Sequence, residues 1–305
     1  MFRRLNDAPY LLLSLTSLFW AGNIVVGRLA AGHVPPIGLA FLRWVIASAI
    51  LMPFAWPLLR REWTLLRGHV VVVLVLSLTG IAAFNTMMYW GLQYTPAINA
   101  LLIQSTGPLM IAFWSLAINR ERLSLGQLAG ILLSLLGVFV IICRGDPAVA
   151  LHIDFNVGDL WAIAAMVIYG AYSALLARRP GMTPIGFLTV TTVLGSLMLA
   201  PLFIWERMEG VPFHADLKTL AVVVYIGVFP SVLAYLCFIR GVHLVGPNRA
   251  APFFHLMPVF GSVLAIAFLG ESFHLYHAVG YALVLSGIAI ATLWGRRRTA
   301  VPPPE

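Results

Sequence analysis

Charge is scarce in this chain. Of its 305 residues 10% are charged, only 11 are Asp or Glu, and Lys218 is the lone lysine. Soluble domains carry about a quarter charged residues, so that class is excluded. Cysteine is nearly missing as well. Cys143 and Cys237 lie in apolar runs far apart in sequence, which reads as two small core hydrophobes, not a disulfide or metal pair. The sequence holds no GxxxxGK[ST] loop, so ATP-driven pumping would need a partner chain. No carboxylate falls in the middle of an apolar run; Asp159, Glu121 and Glu271 stand near run ends. A proton-coupled carrier ordinarily buries one there. Nothing calls for a cofactor or a metal.

What is abundant is apolar surface, at 61% hydrophobic residues. It falls into ten runs, roughly 10–32, 37–59, 69–92, 95–118, 126–143, 157–177, 184–204, 218–239, 247–269 and 276–295. Each is near the ~20 residues that a bilayer requires of a helix. The first follows Arg3 and Arg4 as a signal peptide would, but its length, Arg28 near its end and the further runs make it a helix. A net charge of +8 would suit nucleic acid, yet the basic residues form short clusters between runs, as in membrane proteins. With the N-terminus inside, the inner segments hold fourteen arginines and the outer ones hold Arg144, Arg207 and Lys218. Both termini are therefore expected in the cytoplasm.

The chain also repeats itself. At an offset of 150 positions Gly91, Ala100, Pro108, Glu121, Leu125, Gly130 and Gly137 meet Gly241, Ala250, Pro258, Glu271, Leu275, Gly280 and Gly287. Upstream, with a slip of two, Pro36-Ile37-Gly38 recurs as Pro184-Ile185-Gly186, and Pro53 as Pro201. The expected fold is an all-α integral membrane protein of ten transmembrane helices. Five runs per copy is an odd number, so the copies form two inverted five-helix repeats. They cover 10–143 and 157–295, joined by a linker at 144–156, with a basic, Pro-rich cytoplasmic tail at 296–305. Glu121 then lies on the cytoplasmic side and Glu271 on the other.

These marks resemble the drug/metabolite transporter superfamily, in particular proteins with two EamA domains. The resemblance rests on Leu18-Phe19-Trp20-Ala21-Gly22-Asn23 in the first run, Leu42-Arg43 in the second, Pro108 followed by Glu121, and Pro258 followed by Gly270-Glu271. It covers nearly the whole chain and departs at Thr191, where the second copy lacks a mate for Arg43. It implies an exporter of amino acids or other metabolites in a bacterial inner membrane. It also implies a central cavity built mainly from the first, third, fourth, sixth, eighth and ninth helices.

Several residues stand out against the apolar background. Pro108 and Pro258 are paired interruptions of the fourth and ninth helices, with Pro252 a further break; such pairs mark binding sites or serve packing alone. Trp20 and Asn23 share one helix face, as do Tyr169 and Tyr172, with Ser173 beside them. Polar-tipped aromatic rings at such depth suit a cavity for amphiphilic molecules. Asn85 and Tyr89 share a face, Tyr235 is the repeat mate of Asn85, and Asn99, Gln104 and Ser105 follow in the fourth run. Buried amides of this kind line a wet cavity or tie helices together. His255, the mate of Ser105, either binds substrate, carries a proton, or is a neutral ring held by the backbone. Arg43 or Arg28 is expected to pair with Glu271 and help to close an outer gate, unless Arg28 snorkels to the interface. Glu121 reads as topology, and Gly126, Gly130 and Ser134 as a close-contact stripe echoed by Gly280 and Gly287.

The leading expectation is a secondary carrier exporting small metabolites, with aromatic or other neutral amino acids first. Its partners are that substrate and the lipid bilayer, not nucleic acid, and it acts as a monomer or homodimer. A sugar-phosphate or nucleotide-sugar carrier ranks below, since only Arg28, Arg43 and Arg249 lie near the centre. An intramembrane enzyme would have only Ser105 and His255 to work with.

Overall fold

The computed structural model describes residues 7–152, 155–269 and 272–293. Ten helices run through them: α1 (Pro9–Ala30), α2 (Pro36–Gly68), α3 (Val70–Tyr94), α4 (Ala97–Ser105 then Gly107–Asn119) and α5 (Leu125–Ile142). The second set is α6 (Val157–Leu175), α7 (Pro184–Met208), α8 (Leu217–Val245), α9 (Pro247–Ala250, Ala251–His255 and Leu256–Leu269) and α10 (Leu275–Leu293). Among the described residues nine spans are long and apolar enough to cross a membrane; α9, broken into pieces, is the exception. All ten apolar runs are helices, so this is an all-α integral membrane protein.

Local chemistry sets the ends. Proline opens α1, α2 and α7, where a missing N–H costs nothing. Ser124 with Gln127 forms a capping box on α5, and Asn156 with Asp159 forms one on α6. Arg120, at φ 57°, turns the chain out of α4. The second helix runs nine residues past the expected end at 59. Arg60, Arg61 and Glu62 end the hydropathy signal but are good helix formers, so the helix continues.

Packing is reciprocal. Helix α5 lies on α10 and α2 on α7, while α6 packs on α3 and α4, and α1 on α8 and α9. Helices α5 and α10 meet through glycine. A Cβ on Gly130 would stand 2.4 Å from the Gly287 carbonyl oxygen, and one on Gly137 would stand 2.7 Å from that of Gly280. The stripe expected from sequence is thus one half of a two-sided contact.

Two glutamates that sequence reading passed over tie α2 to α7. Glu206, near the end of α7, accepts from the N–H groups of Ile37 (3.1 Å) and Gly38 (2.7 Å) at the start of α2. Glu62, late in α2, accepts from the Thr183 N–H (2.9 Å) just before α7. Each helix end therefore supplies an anion to the other's positive end. Glu206→Ala is expected to lower stability by about 2–3 kcal/mol, since two donors lose a charged acceptor. Glu206→Gln should lose roughly half as much. Thermal unfolding in detergent reads both; equal melting temperatures for wild type and Glu206→Ala would refute the bridge.

The loops after α1 and α7 also meet. The rings of His33 and His214 stack at 4.7 Å, and His33 Nε2 lies 3.0 Å from Asp216 Oδ2. Asp216 also caps α8 by accepting from the Thr219 N–H at 2.8 Å. That N–H, and then the bond to His33, hold the Asp216 carboxyl down to about 2 from its usual 3.8. A depressed carboxyl stabilises the fold above its unfolded value and stops doing so as pH falls through its folded value. The exchange protection of the Thr219 amide, relative to an unstructured amide at the same pH, should therefore hold at neutral pH and fall between about pH 4 and about pH 2. In Asp216→Asn that window should vanish.

Candidate functional site

The site begins with two irregular turns. Helix α3 widens to a π-helical segment at Leu78–Ala83, and α8 does the same at Gly227–Leu233, the corresponding place in the second copy. A π turn leaves carbonyls off the regular ladder, and side chains take them. Gly80 O accepts from the Tyr235 hydroxyl (2.8 Å), Ile81 O from the Trp44 indole (3.0 Å), and Pro230 O from the Trp20 indole (3.1 Å). Three large rings are thereby fixed, and two of them, Trp20 and Tyr235, border one point.

That point is a narrow cavity of about 20 Å³. Its lining includes the rings of Trp20, Tyr169, Tyr235 and Phe254; the Trp20 ring sits 5.7, 5.6 and 5.4 Å from the other three. It also includes Asn23, Arg43, Asn85 and Gln104, together with Ile24, Phe84, Met88 and Met257. Such a wall is mostly apolar with a few placed polar groups, as small-molecule sites are. Tyr169 is buried, and its hydroxyl makes no hydrogen bond of ordinary geometry among the described residues.

Arg43, 1% exposed, is the most costly group in the wall. Its Nε donates to Ser231 Oγ at 2.8 Å. Its Nη1 donates to Asn85 Oδ1 at 2.8 Å and to the Tyr89 hydroxyl. The guanidinium also sits over the Trp44 ring, 4.6 Å from its centroid, a cation–π contact. The partners are held in turn. Ser231 donates to Ile226 O, the Asn85 amide to Gly80 O and Ile81 O, and Tyr89 to Asn23 Oδ1.

Of the residues singled out from sequence, Trp20, Asn23, Asn85, Gln104, Tyr169 and Tyr235 are on the wall, and so is Arg43. Tyr89 stands behind it, bonded to Arg43 and Asn23. Tyr172 backs Tyr169 at 5.3 Å and fills the space beside Gly80. His255 is fully buried and off the wall. It bridges Ser134 Oγ on α5 and Ser105 O on α4 (2.8 Å), pinning the break in α9 to the break in α4. The Ser105 hydroxyl turns to Leu102 O, away from the imidazole, which gives no activated nucleophile.

Pro108 begins the second piece of α4 after a break at Thr106, and Pro258 lies in the last piece of α9 just past its 3₁₀ turn. Asn248 Nδ2 at the start of α9 donates to Glu121 at 3.3 Å. Arg28 donates to Leu92 O (2.7 Å) at the end of α3. Glu271, the expected partner of Arg43 or Arg28, lies outside the described residues, as does the tail.

The signature of the EamA-like transporter family matches residues 8–143 and again 156–293. The chain belongs to that family. This EamA-like transporter is 29% identical to the uncharacterized transporter YetK of Bacillus subtilis over 97% of its own length and 90% of the relative's. It is 26% identical to a probable terminal-alkyne amino-acid exporter of Streptantibioticus cattleyicolor, over 98% and 99%. A solved crystal structure shares its fold with a TM-score of 0.72 at 23% identity, over 96% of this chain and all of the other. It is thus a multi-pass membrane transporter of small molecules, related to bacterial transporters, and not an enzyme.

The wall residues that sequence reading missed in this EamA-like transporter are Ile24, Phe84, Met88, Phe254 and Met257. An apolar side chain facing a cavity looks the same in sequence as one facing lipid. Phe254 and Met257 alone carried a hint, since they lie between Pro252 and Pro258.

Proposed function

We propose that this transporter exports small amphiphilic metabolites, amino acids with apolar or aromatic side chains first among them, across a bacterial inner membrane. The carrying observation is the wall itself: Trp20, Tyr169, Tyr235 and Phe254 line one cavity together with Asn23, Arg43, Asn85 and Gln104. The rings suit an apolar body, and the polar groups suit a small polar head. The relative named as an amino-acid exporter supports the same class. A sugar phosphate or nucleotide sugar would ask for several cations, and Arg43 stands alone among the wall residues.

Transport proceeds by alternating access of two inverted repeats, with both termini in the cytoplasm and the protein a monomer or homodimer. The reciprocal packing of α1 on α8 and α9, and of α6 on α3 and α4, supports the repeat. The arginine-rich inner segments support the orientation. The experiment is counterflow in proteoliposomes loaded with single amino acids, amines or sugar phosphates. Accumulation of labelled aromatic or aliphatic amino acids supports this reading; accumulation of sugar phosphates alone overturns it.

A further inference from the structure

The guanidinium of Arg43 has five N–H donors, and three are spoken for: Nε by Ser231, and both on Nη1 by Asn85 and Tyr89. The two on Nη2 have no partner among the described residues. None of the three acceptors carries charge. Each is locked in its accepting orientation by a bond it donates itself, Ser231 to Ile226 O, Asn85 to two carbonyls, and Tyr89 to Asn23. The cradle is therefore built to hold a cation in place without neutralising it. The ion pairs among the described residues, His33 with Asp216 and Arg240 with Asp7, lie elsewhere. No described wall residue is Asp or Glu.

A buried cation with neutral partners is costly unless an anion joins it. We propose that Arg43 Nη2 is the anchor for one carboxylate of the transported molecule, whose apolar body lies against Trp20, Tyr169, Tyr235 and Phe254. This rests on the cavity being the transport site, as proposed above, and adds what that reading leaves open, namely which head group the substrate must carry. A free Nη2 N–H can donate to a carboxylate oxygen in a charge-assisted contact. With a single cation in the wall, a phosphate dianion would keep half its charge uncompensated. Arg43 lies on α2, and its cradle comes from α3 (Asn85, Tyr89) and α8 (Ser231). A carboxylate bound there would act on a side chain whose own partners come from both sequence copies, which is what a ligand that governs the two halves needs.

The test compares ligands that differ only in the head group, using the purified full chain in detergent. 3-Phenylpropionate and L-phenylalanine carry the carboxylate; L-phenylalaninamide, phenethylamine and 3-phenylpropanol do not. The acids are expected to raise the melting temperature at concentrations where the other three do not. In Arg43→Gln the acids should bind about ten- to a hundredfold more weakly, while Arg43→Lys, which keeps the charge, should retain part of the shift. Equal shifts by acid and amide in the wild type overturn the anchor, and that comparison needs no variant to fold. If neutral ligands shift the protein and Trp20→Ala removes the effect, the cavity stands and the anchor falls. If no compound of any charge shifts it or is carried in proteoliposomes, both fall.

Discussion

Gly287→Leu is expected to leave no folded, monodisperse protein in detergent, although the substitution adds only apolar atoms to a membrane helix. Helices α5 and α10 approach until each occupies the volume of the other's side chains. A Cβ at Gly287 would stand 2.5 Å from Ser134 N and 2.6 Å from Gly130 O. Backbone atoms cannot rotate aside, so the helices must part. Parting removes the dispersion contacts along the seam, and lipid offers no hydrophobic drive to restore them. Overpacking a core with side-chain atoms alone costs about 1–3 kcal/mol; here the obstacle is main chain, so about 3 kcal/mol is the lower bound for Leu, and Ala should fall near it. Gly261 on α9 is the control, because a Cβ there meets nothing within 4 Å. Gly261→Ala should be neutral or stabilise by up to about 1 kcal/mol through helix propensity. Gel filtration of a fluorescent fusion reads both, and a normal peak for Gly287→Leu would show that the seam yields.

The opposite signs expected at two glycines of adjacent helices show what sequence carries and what it does not. Periodic small residues at Gly126, Gly130 and Ser134 announce a close contact, yet only the structure shows that Gly130 faces Gly287, and Gly137 faces Gly280, instead of their own repeat mates. The ten helices were legible because a bilayer permits few alternatives to a helix. The site was legible as far as polarity reached. Trp20, Asn23, Asn85, Gln104, Tyr169 and Tyr235 stood out because polar atoms in an apolar helix are expensive, and the cavity wall holds all six.

Illegible were the π turns. An extra residue in one turn leaves hydropathy unchanged, and Gly80 and Pro230 hinted only at weak points in α3 and α8. Those turns decide where Arg43 belongs. From its depth, two turns into α2, it reads as a gate residue awaiting Glu271. Glu271 lies outside the described residues; within them the π segment of α8 presents Ser231 to Arg43, while the start of the regular helix after the π segment of α3 presents Asn85. For His255 the sequence leaves a substrate contact, a proton carrier and a ring held by the backbone all open. An imidazole between two prolines invites a substrate, but Ser134 and the freed carbonyl of Ser105 occupy both its nitrogens.

Trp20→Ala is expected to abolish transport and to destabilise the protein by about 3–5 kcal/mol, the usual range for deleting a packed tryptophan. Its ring lies within 5.1–5.7 Å of Phe238, Phe254, Tyr235 and Tyr169, so its removal strips part of the cavity wall and frees three neighbours that line it. The indole N–H has a second task, because it satisfies Pro230 O in the π segment of α8. An unpartnered carbonyl at that depth costs about 1–3 kcal/mol, and the helix would recover it by tightening to a regular turn. That tightening would move Ser231 away from Arg43. Trp20→Phe separates the two roles: it keeps an aromatic face and drops the donor. If the ring alone matters, Trp20→Phe should retain ligand-dependent stabilisation with a small loss of melting temperature. If the π turn depends on the indole, Trp20→Phe should lose carboxylate-dependent stabilisation as Arg43→Gln does, while keeping a response to neutral aromatic ligands where the wild type has one. Counterflow normalised to folded protein, run beside melting curves, distinguishes these outcomes, and full activity in Trp20→Ala would remove the aromatic wall from the mechanism.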